Sequence, residues 1–281
     1  MNSRFARGAQ KTPRYKLAAA TPHIAGPAPI QFAIVPLQLS FWGNQTDGDC
    51  VTAEEAFAKA CHSPEIFVPE ATAIAWATRH GVLNGAVIAD VLTMMQTDGF
   101  VVNGRTYDDG AHTSVDYSNE TVLQSAIANG PVKIGIDANA LPHTAGTANG
   151  WSAFGGTVGQ FPNLDHCVSL CGYGPTPWLA QQLGVVVPPG APANGYLLFT
   201  WNSIGFVDHV WVMSCCGEAW LRNPTTITSP TPVNPNVASF TLNSPVRPNG
   251  TLAIRFVHGL AAGHYGIVSE ASGIFVEAVA K

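Results

Sequence analysis

The chain has 281 residues, of which 46% are hydrophobic and only 11% are charged, whereas an ordinary soluble domain is roughly 25% charged. The hydrophobic fraction is enough for a sizeable core, and no apolar run has the length of a membrane span, so we predict no membrane partner. The net charge is −5, yet the first 16 residues hold five of the 13 basic residues and no acid. That stretch is too short and too poor in aromatic residues to indicate nucleic-acid binding.

The N-terminal region, residues 1–24, is predicted to be a basic and flexible arm. It lacks the apolar segment of a signal peptide, so we expect a cytoplasmic or virion-associated protein. Residues 17–43 contain four prolines and are typical of an extended segment laid over a domain. Because so few side chains are charged, we also expect a homo-oligomer or a larger assembly, held through this arm and the C-terminal extension described below.

Apolar residues at helical spacing predict four helices in the first half of the chain. The predicted helices are residues 50–63, 70–80, 88–97 and 119–129. The first begins with Cys50 after a glycine turn, where unpaired backbone N–H groups and the positive end of the helix dipole stabilise a thiolate. Cys50 is therefore a candidate nucleophile, and Gln45 is a candidate donor to an oxyanion beside it. The alternative is that Cys50 is a small buried hydrophobic residue.

From residue 132 onward the apolar pattern changes to the period of strands. The predicted strands are residues 132–136, 166–173, 196–201 and 210–213, with a short helix at 178–184 in an insertion. The proline-rich residues 223–281 contain further strand candidates at 237–242, 252–257 and 274–279. Helices followed by strands indicate an α+β fold whose two halves form a cleft.

Three side chains with complementary chemistry lie at the ends of these predicted elements. Cys50 begins a helix, His166 lies at the entrance of a strand, and Asn202 follows the end of another strand. This order suits a thiol paired with an imidazole whose ring is oriented by an amide. The six cysteines include no Cys-x-x-Cys pair, and a chain of this length needs no disulfide framework. We therefore predict neither a metal site nor a cofactor.

These segments resemble the papain-like cysteine peptidases over roughly residues 28–220. The family has a glutamine, a glycine turn and a helix-opening cysteine, which Gln45 and Cys50 match. Four further family segments are a histidine strand, an Asn-Ser-Trp-Gly turn, a Gly-Pro-Val strand and an Asn-Gly-Gly substrate strand. They are matched in turn by residues 165–174, 202–205, 129–138 and 81–100.

The resemblance implies a two-lobed fold over residues 25–222, with a helical half that carries the nucleophile and a β-barrel-like half. A β-rich extension at residues 223–281 follows it. The resemblance also implies roles for a nucleophile, a general base, a ring-orienting amide and an oxyanion donor, which fall on Cys50, His166, Asn202 and Gln45. A peptide or protein substrate would then be bound by Asn84, Gly85 and Asp165.

The sequence departs from the family pattern close to the site. Only four residues separate Gln45 from Cys50, one fewer than is usual in the family. Ile204 replaces the tryptophan that shields the contact between histidine and asparagine, and the acidic Asp47 and Asp49 would raise the pKa of the thiol.

Two hypotheses follow from this mixture of matches and departures. The first is a cysteine-dependent peptidase or amide hydrolase. The second is a weakly active or inactive papain-like protein that serves as a structural or interaction subunit, for example of a virus particle. Cleavage of cell-wall amides by a smaller Cys–His fold is a third reading, which the 202–205 segment disfavours.

Overall fold

The computed structural model describes residues 5–228 and two further strands at 264–270 and 273–279. The chain divides into two compact units, residues 1–229 and residues 230–281. The described part of the second unit is an antiparallel hairpin between His264–Glu270 and Gly273–Val279. The strand predicted at 274–279 lies in this hairpin, whereas those predicted at 237–242 and 252–257 lie outside the described residues.

The helices of the first unit include all five that the sequence predicts. They are α1 (Arg14–Ala19), α2 (Cys50–Ala60), α3 (Glu70–Arg79), α4 (Ile88–Met95), α5 (Glu120–Ala128), α6 (Thr176–Leu183) and α7 (His209–Cys215). α5 begins where the Asn119 side chain caps two backbone N–H groups, and α6 ends at Gly184, which has a left-handed φ of 68°. None of the helices in the described part combines the length and the apolar character that crossing a bilayer requires.

One predicted strand is wrong, because the structure has a helix there. Residues 210–213 form a short apolar run and lie inside α7. The Asp208 carboxylate accepts hydrogen bonds from the backbone N–H groups of Trp211 at 2.8 Å and Gly155 at 2.9 Å, so it caps the start of this helix. A local cap outweighs the weak preference of four apolar residues for a strand.

The strands of the first unit are β1 (Ala9–Gln10), β2 (Phe32–Ala33), β3 (Ala86–Val87), β4 (Phe100–Val102), β5 (Arg105–Asp109), β6 (His112–Ser114), β7 (Val132–Ile136), β8 (Ser152–Ala153), β9 (His166–Pro175), β10 (Asn194–Thr200), β11 (Ser203–Val207), β12 (Cys216–Arg222) and β13 (Thr225–Thr228). The main sheet has the order β6-β12-β7-β9-β10-β11-β8, and β2 also pairs with β9. β13, β5 and β4 form a second sheet, while β1 and β3 pair in parallel. Helices and sheets together make the predicted α+β fold.

The central strands of the main sheet are buried on both faces, so alternate side chains enter two different cores. Along β10, Leu197 and Phe199 pack with α2, α3 and α4, whereas Leu198 packs with α5 and α7. Phe57 of α2 stacks on Phe199 with the ring centroids 4.0 Å apart. The first of these cores holds α2 against the sheet, and this positions the first residue of α2 beside β9.

A network of buried charges also holds α2. Lys59 pairs with Asp109 and Lys133 pairs with Glu55, while Arg222 lies 3.1 Å from Asp109 and 3.4 Å from Glu55. Burial alone would raise the pKa of Asp109, but the charges of Arg222 and Lys59 lower it to about 2. The network ties α2 to β5, β7 and β12.

Candidate active site

The thiol of Cys50 is fully buried at the N-terminus of α2. Burial raises the pKa of the thiol to about 12, against the opposing effect of the backbone N–H groups of Cys167 and Gly8, which interact with the sulfur. The charge of Asp49 raises the pKa further. Cys50 is therefore a neutral thiol in this structure. Because Cys167 follows His166 directly in β9, the sulfur lies against the strand that carries the predicted base.

The imidazole of His166, the first residue of β9, is also fully buried. Its Nε2 lies 2.8 Å from Oγ1 of Thr200, the last residue of β10. The ring stacks on Trp201, with the centroids 4.3 Å apart and 20° between the planes. Nδ1 has no hydrogen-bond partner among the described residues. Burial, together with the positive charge of Arg7, lowers the pKa of His166 to about 3, so the imidazole is neutral.

The contact predicted between Asn202 and the imidazole is made by Thr200 instead. β10 and β11 are joined by a two-residue turn in which Trp201 and Asn202 have left-handed φ values of 44° and 64°, and Thr200 pairs with Ser203 across it. This turn leaves Asn202 exposed and places Trp201 over the imidazole. An indole therefore covers the histidine even though Ile204 replaces the tryptophan of the family pattern.

The side-chain amide of Asn44 is buried, whereas Gln45 is exposed. The Asn44 side chain donates a hydrogen bond to the carbonyl oxygen of Ala6 at 3.3 Å, and the indole N–H of Trp201 donates to the same oxygen at 3.3 Å. Two side-chain N–H groups thus hold a peptide carbonyl at this point. Five residues separate Asn44 from Cys50, one more than for Gln45. The spacing from Asn44 to Cys50 is thus the one usual between the glutamine and the cysteine of the family, and it could have indicated Asn44 from the sequence.

Residues 5–10, here called the cleft segment, cross the site without helical turns. Phe5 packs between Phe41 and Trp201, with ring centroids 5.2 and 5.3 Å away. The last two residues of the segment form β1, which runs parallel to β3. The cleft segment belongs to the predicted flexible arm. Its Gly8 interacts with the Cys50 sulfur, and its Phe5 packs on the Trp201 ring that stacks on His166.

Asp165, predicted to bind substrate, contacts the cleft segment twice. Its carboxylate forms a salt bridge with Arg7 at 2.9 Å, and its carbonyl oxygen accepts a hydrogen bond from the Ala9 backbone at 3.1 Å. Arg7 also donates to Oδ1 of Asn139 at 3.1 Å. The backbone N–H of Ala138 donates to the other carboxylate oxygen of Asp165 at 2.9 Å. The acceptors for the arginine are thus fixed by the loop after β7.

Asn84 and Gly85, the other two predicted substrate-binding residues, border Gly8 of the cleft segment. A Cβ built at Gly85 would lie 3.0 Å from the Gly8 carbonyl oxygen, and one built at Gly8 would lie 1.7 Å from the carbonyl oxygen of Gly48. The Asn84 side chain is exposed, while its backbone lies close to Gly48. The structure therefore brings Cys50, His166, Gly85 and Asp165 to one cleft, with Gln45 and Asn202 at its exposed margin.

The site holds a thiol, an imidazole and amide donors, and the described residues offer nothing further for cofactor chemistry. Within residues 5–228 and the two later strands, no group of three or more histidine, cysteine, aspartate or glutamate residues is placed to hold a metal ion. All six cysteines are free thiols. A cysteine that opens a buried helix lies beside the strand that begins with a histidine, as in a papain-like fold, although the thiol makes no hydrogen bond to Nδ1 of that histidine.

Comparison with solved structures agrees with this fold. One similar structure is the proform of Amb a 11, a cysteine protease and major pollen allergen of ragweed, with 11% identity and a TM-score of 0.50 over 71% of this chain and 66% of that chain. Another is xylellain, a cysteine protease from Xylella fastidiosa, with 12% identity and a TM-score of 0.51 over 80% of this chain and 98% of that chain. No protein-family model matches the sequence, and neither does any curated protein.

The comparisons establish the fold, which is papain-like. This chain spans just under two thirds of the Amb a 11 proform, at 66%, and nearly the whole of xylellain, at 98%. At identities of 11% and 12% the likeness shows the fold alone.

Proposed function

We propose that the protein is a cysteine-dependent amide hydrolase of the peptidase type, with Cys50 and His166 as its catalytic pair. The observation that supports this proposal is the state of the imidazole. Thr200 holds Nε2 and Trp201 covers the ring, while Nδ1 has no partner among the described residues although it is buried. An unpaired buried polar atom costs about 1–3 kcal/mol, so a histidine kept only for packing would not be expected to leave one.

In the proposed reaction, Nδ1 of His166 accepts the thiol proton of Cys50 and the sulfur attacks the carbonyl carbon of a substrate amide. The backbone N–H of Cys50 and the side-chain amide of Asn44 bind the oxyanion that develops. The imidazolium then gives its proton to the leaving amine as the C–N bond breaks. This leaves a thioester on the sulfur, which water hydrolyses to regenerate the thiol. Thr200 acts as a positioning residue that holds the ring through Nε2.

The cleft segment explains why the two groups are neutral in this structure. Burial is the largest cause of the raised pKa of Cys50 and of the lowered pKa of His166, and the charge of Arg7 adds to the second shift. Departure of the segment would admit water and remove Arg7, so the pKa of the thiol would fall and that of the imidazole would rise. The two values would approach each other, and proton transfer would become easier. We therefore expect activity only after the segment is displaced.

The test uses the full chain with Gly8→Ala, because the Cβ would clash with the Gly48 carbonyl and expel the cleft segment. Gly26→Ala is the matched control, since a Cβ at Gly26 meets nothing within 4 Å. Hydrolysis is followed with a library of fluorogenic peptides. Iodoacetamide alkylation over a pH series, read by mass spectrometry, follows the thiol.

We expect the Gly8→Ala chain to hydrolyse peptides and to be alkylated at Cys50 below pH 8, and both properties to be lost on adding His166→Ala. The Gly26→Ala chain should stay latent like the wild type. The proposal is refuted if Cys50 in the Gly8→Ala chain is accessible but behaves as an ordinary thiol, with a pKa of roughly 8.5, and no peptide is hydrolysed.

A second candidate function is that of a non-catalytic structural or interaction subunit. The filled cleft favours it, and so do the neutral thiol and imidazole. The same experiment separates the two candidates, because a non-catalytic subunit would expose Cys50 in the Gly8→Ala chain without gaining hydrolysis. Assembly through the arm or the C-terminal extension, and a cytoplasmic or virion-associated location, stay predictions from the sequence.

A further inference from the structure

The cleft segment shows which kind of peptide this cleft accommodates. Its sequence is Phe-Ala-Arg-Gly-Ala-Gln, and its two central residues make the most specific contacts. Arg7 reaches two side-chain oxygens, and Gly8 passes through the narrowest point of the cleft. These contacts belong to the cleft itself, so a separate peptide with the same chemistry would meet them too.

The position of Arg7 selects a positively charged donor. Its guanidinium donates to Oδ2 of Asp165 at 2.9 Å and to Oδ1 of Asn139 at 3.1 Å. The Asp165 carboxylate is held by the Ala138 backbone N–H at 2.9 Å, and the backbone of Asn139 is held by the hydrogen bond that its N–H donates to Asp137 at 3.0 Å. Charge-assisted hydrogen bonds to fixed acceptors are strong and directional. A glutamate at this position would face Asp165 with like charge.

The position of Gly8 selects the smallest residue. A Cβ there would lie 1.7 Å from the carbonyl oxygen of Gly48, which is backbone and cannot rotate away. On the other side the Gly8 carbonyl oxygen accepts a hydrogen bond from the Ala86 backbone at 2.8 Å, and a Cβ at Gly85 would lie 3.0 Å from it. The peptide is therefore held between two glycine-containing walls. The restriction is one of space and it excludes every side chain.

The direction of the peptide bond between Arg7 and Gly8 keeps the segment intact. The N–H of Gly8 interacts with the sulfur of Cys50. In a trans peptide the carbonyl oxygen lies on the side opposite the N–H, and here the Arg7 oxygen lies near Gly48. The sulfur thus faces an N–H group and is not aligned with a carbonyl carbon. The segment can occupy the site without being attacked.

We infer that the cleft is a recognition site for extended peptides in which an arginine is followed directly by a glycine, and that residues 5–10 are its resident occupant. This inference rests on the proposed function and deepens it by naming the peptide class. Binding itself is measured without reference to catalysis. A separate peptide competes with residues 5–10, which are tethered to the cleft by the chain itself. The effective concentration of such a tethered segment is in the millimolar range for a short linker.

The experiment measures binding of fluorescein-labelled Phe-Ala-Arg-Gly-Ala-Gln, capped at both ends, by fluorescence anisotropy. The full chain carrying Gly8→Ala and Cys50→Ala cannot close its own cleft and cannot cleave the peptide. We expect this chain to bind the peptide about a hundredfold more tightly than the matched chain carrying Gly26→Ala and Cys50→Ala, whose cleft stays filled. A full chain with Arg7→Glu and Cys50→Ala, in which Asp165 repels the segment, provides a second open form should Gly8→Ala impair folding.

Two altered peptides test the specificity. Replacing the arginine by glutamate, or the glycine by alanine, should each weaken binding to the open chain by about tenfold or more. Equal binding of the alanine peptide and the parent peptide overturns the inference, and so does absence of binding to both open chains. Binding of this peptide without its hydrolysis is expected, because the sulfur faces the N–H of the glycine. Binding with the expected specificity, combined with failure of the Gly8→Ala chain to hydrolyse any peptide of the fluorogenic library, would count against the proposed function alone.

Discussion

Replacing Thr200 by valine should destabilise the fold and release the imidazole of His166. Valine has nearly the shape of threonine but no hydroxyl, so Nε2, now 2.8 Å from Oγ1, would lose its partner while Nδ1 already has none among the described residues. An unpaired buried polar atom costs about 1–3 kcal/mol, and we expect the free energy of unfolding to fall by about 2 kcal/mol. In a unit of this size that lowers Tm by about 4–8 °C.

Urea unfolding and thermal melting measure the effect, and two variants serve as controls. Thr200→Ser keeps the hydroxyl and should recover most of the loss. Asn202→Gly removes the exposed amide yet suits the left-handed φ of 64°, so the free energy of unfolding should change by less than about 0.5 kcal/mol. In the Gly8→Ala background, Thr200→Val should also shift the pH profile of Cys50 alkylation. The reasoning fails if Asn202→Gly costs as much as Thr200→Val, or if Thr200→Val leaves both stability and the pH profile unchanged.

Three further predictions concern His166, the buried ion pair of Lys59 and the cap of α7. Because the folded pKa of His166 is about 3, against an ordinary 6.5, the unfolded chain takes up a proton first as the pH falls. Between about pH 6.5 and 3, the free energy of unfolding of the wild type should thus fall relative to that of His166→Gln by roughly 1.4 kcal/mol per pH unit. Unfolding at several pH values measures this, and an equal pH dependence of the two chains would refute it. Lys59→Met breaks a buried ion pair with Asp109 and should lower the free energy of unfolding in urea by about 3–5 kcal/mol. A loss no larger than that caused by Lys11→Met, at an exposed lysine, would contradict this prediction. Asp208→Ala removes the cap of α7 and should lower the free energy of unfolding by about 0.5–2 kcal/mol, with an unchanged dependence on urea concentration. An unaltered midpoint of urea unfolding would show that the cap is dispensable.

Most elements of the fold are predictable because the local signals agree with burial. The helix that begins at Cys50 and the strand that begins at His166 show clear periodicity in the sequence and exist in the structure. The interpretation of residues 50–129 as mainly helical misses the hairpin of β4 and β5. Its two-residue turn, Asn103-Gly104, has left-handed φ values of 50° and 74°, and Asn-Gly is the strongest short-range hairpin signal. Here the turn residues carried more information than the apolar pattern.

The site is less predictable, because motif letters do not fix which side chain reaches the imidazole. Cys50 and His166 can be located from local features, a helix start and a strand start. Thr200 reaches the ring because the β10–β11 turn begins one residue after it, and a match to Asn202 does not reveal where that turn begins. The cleft segment is harder still. Its position depends on a contact with Gly48 and a salt bridge with Asp165, more than 150 residues from Arg7 in the sequence.

Burial under the cleft segment also affects how readily the sulfur of Cys50 is oxidised. Peroxides oxidise thiolates that solvent can reach, and Cys50 has neither exposed surface nor a pKa low enough to ionise at neutral pH. The closed chain can thus pass through oxidising surroundings with its thiol intact. Once the segment leaves, the sulfur can be converted to sulfinic and sulfonic acids, which are not reversed in most proteins. After displacement of the cleft segment, the site would therefore be inactivated by oxidation at a rate set by the local concentration of oxidant.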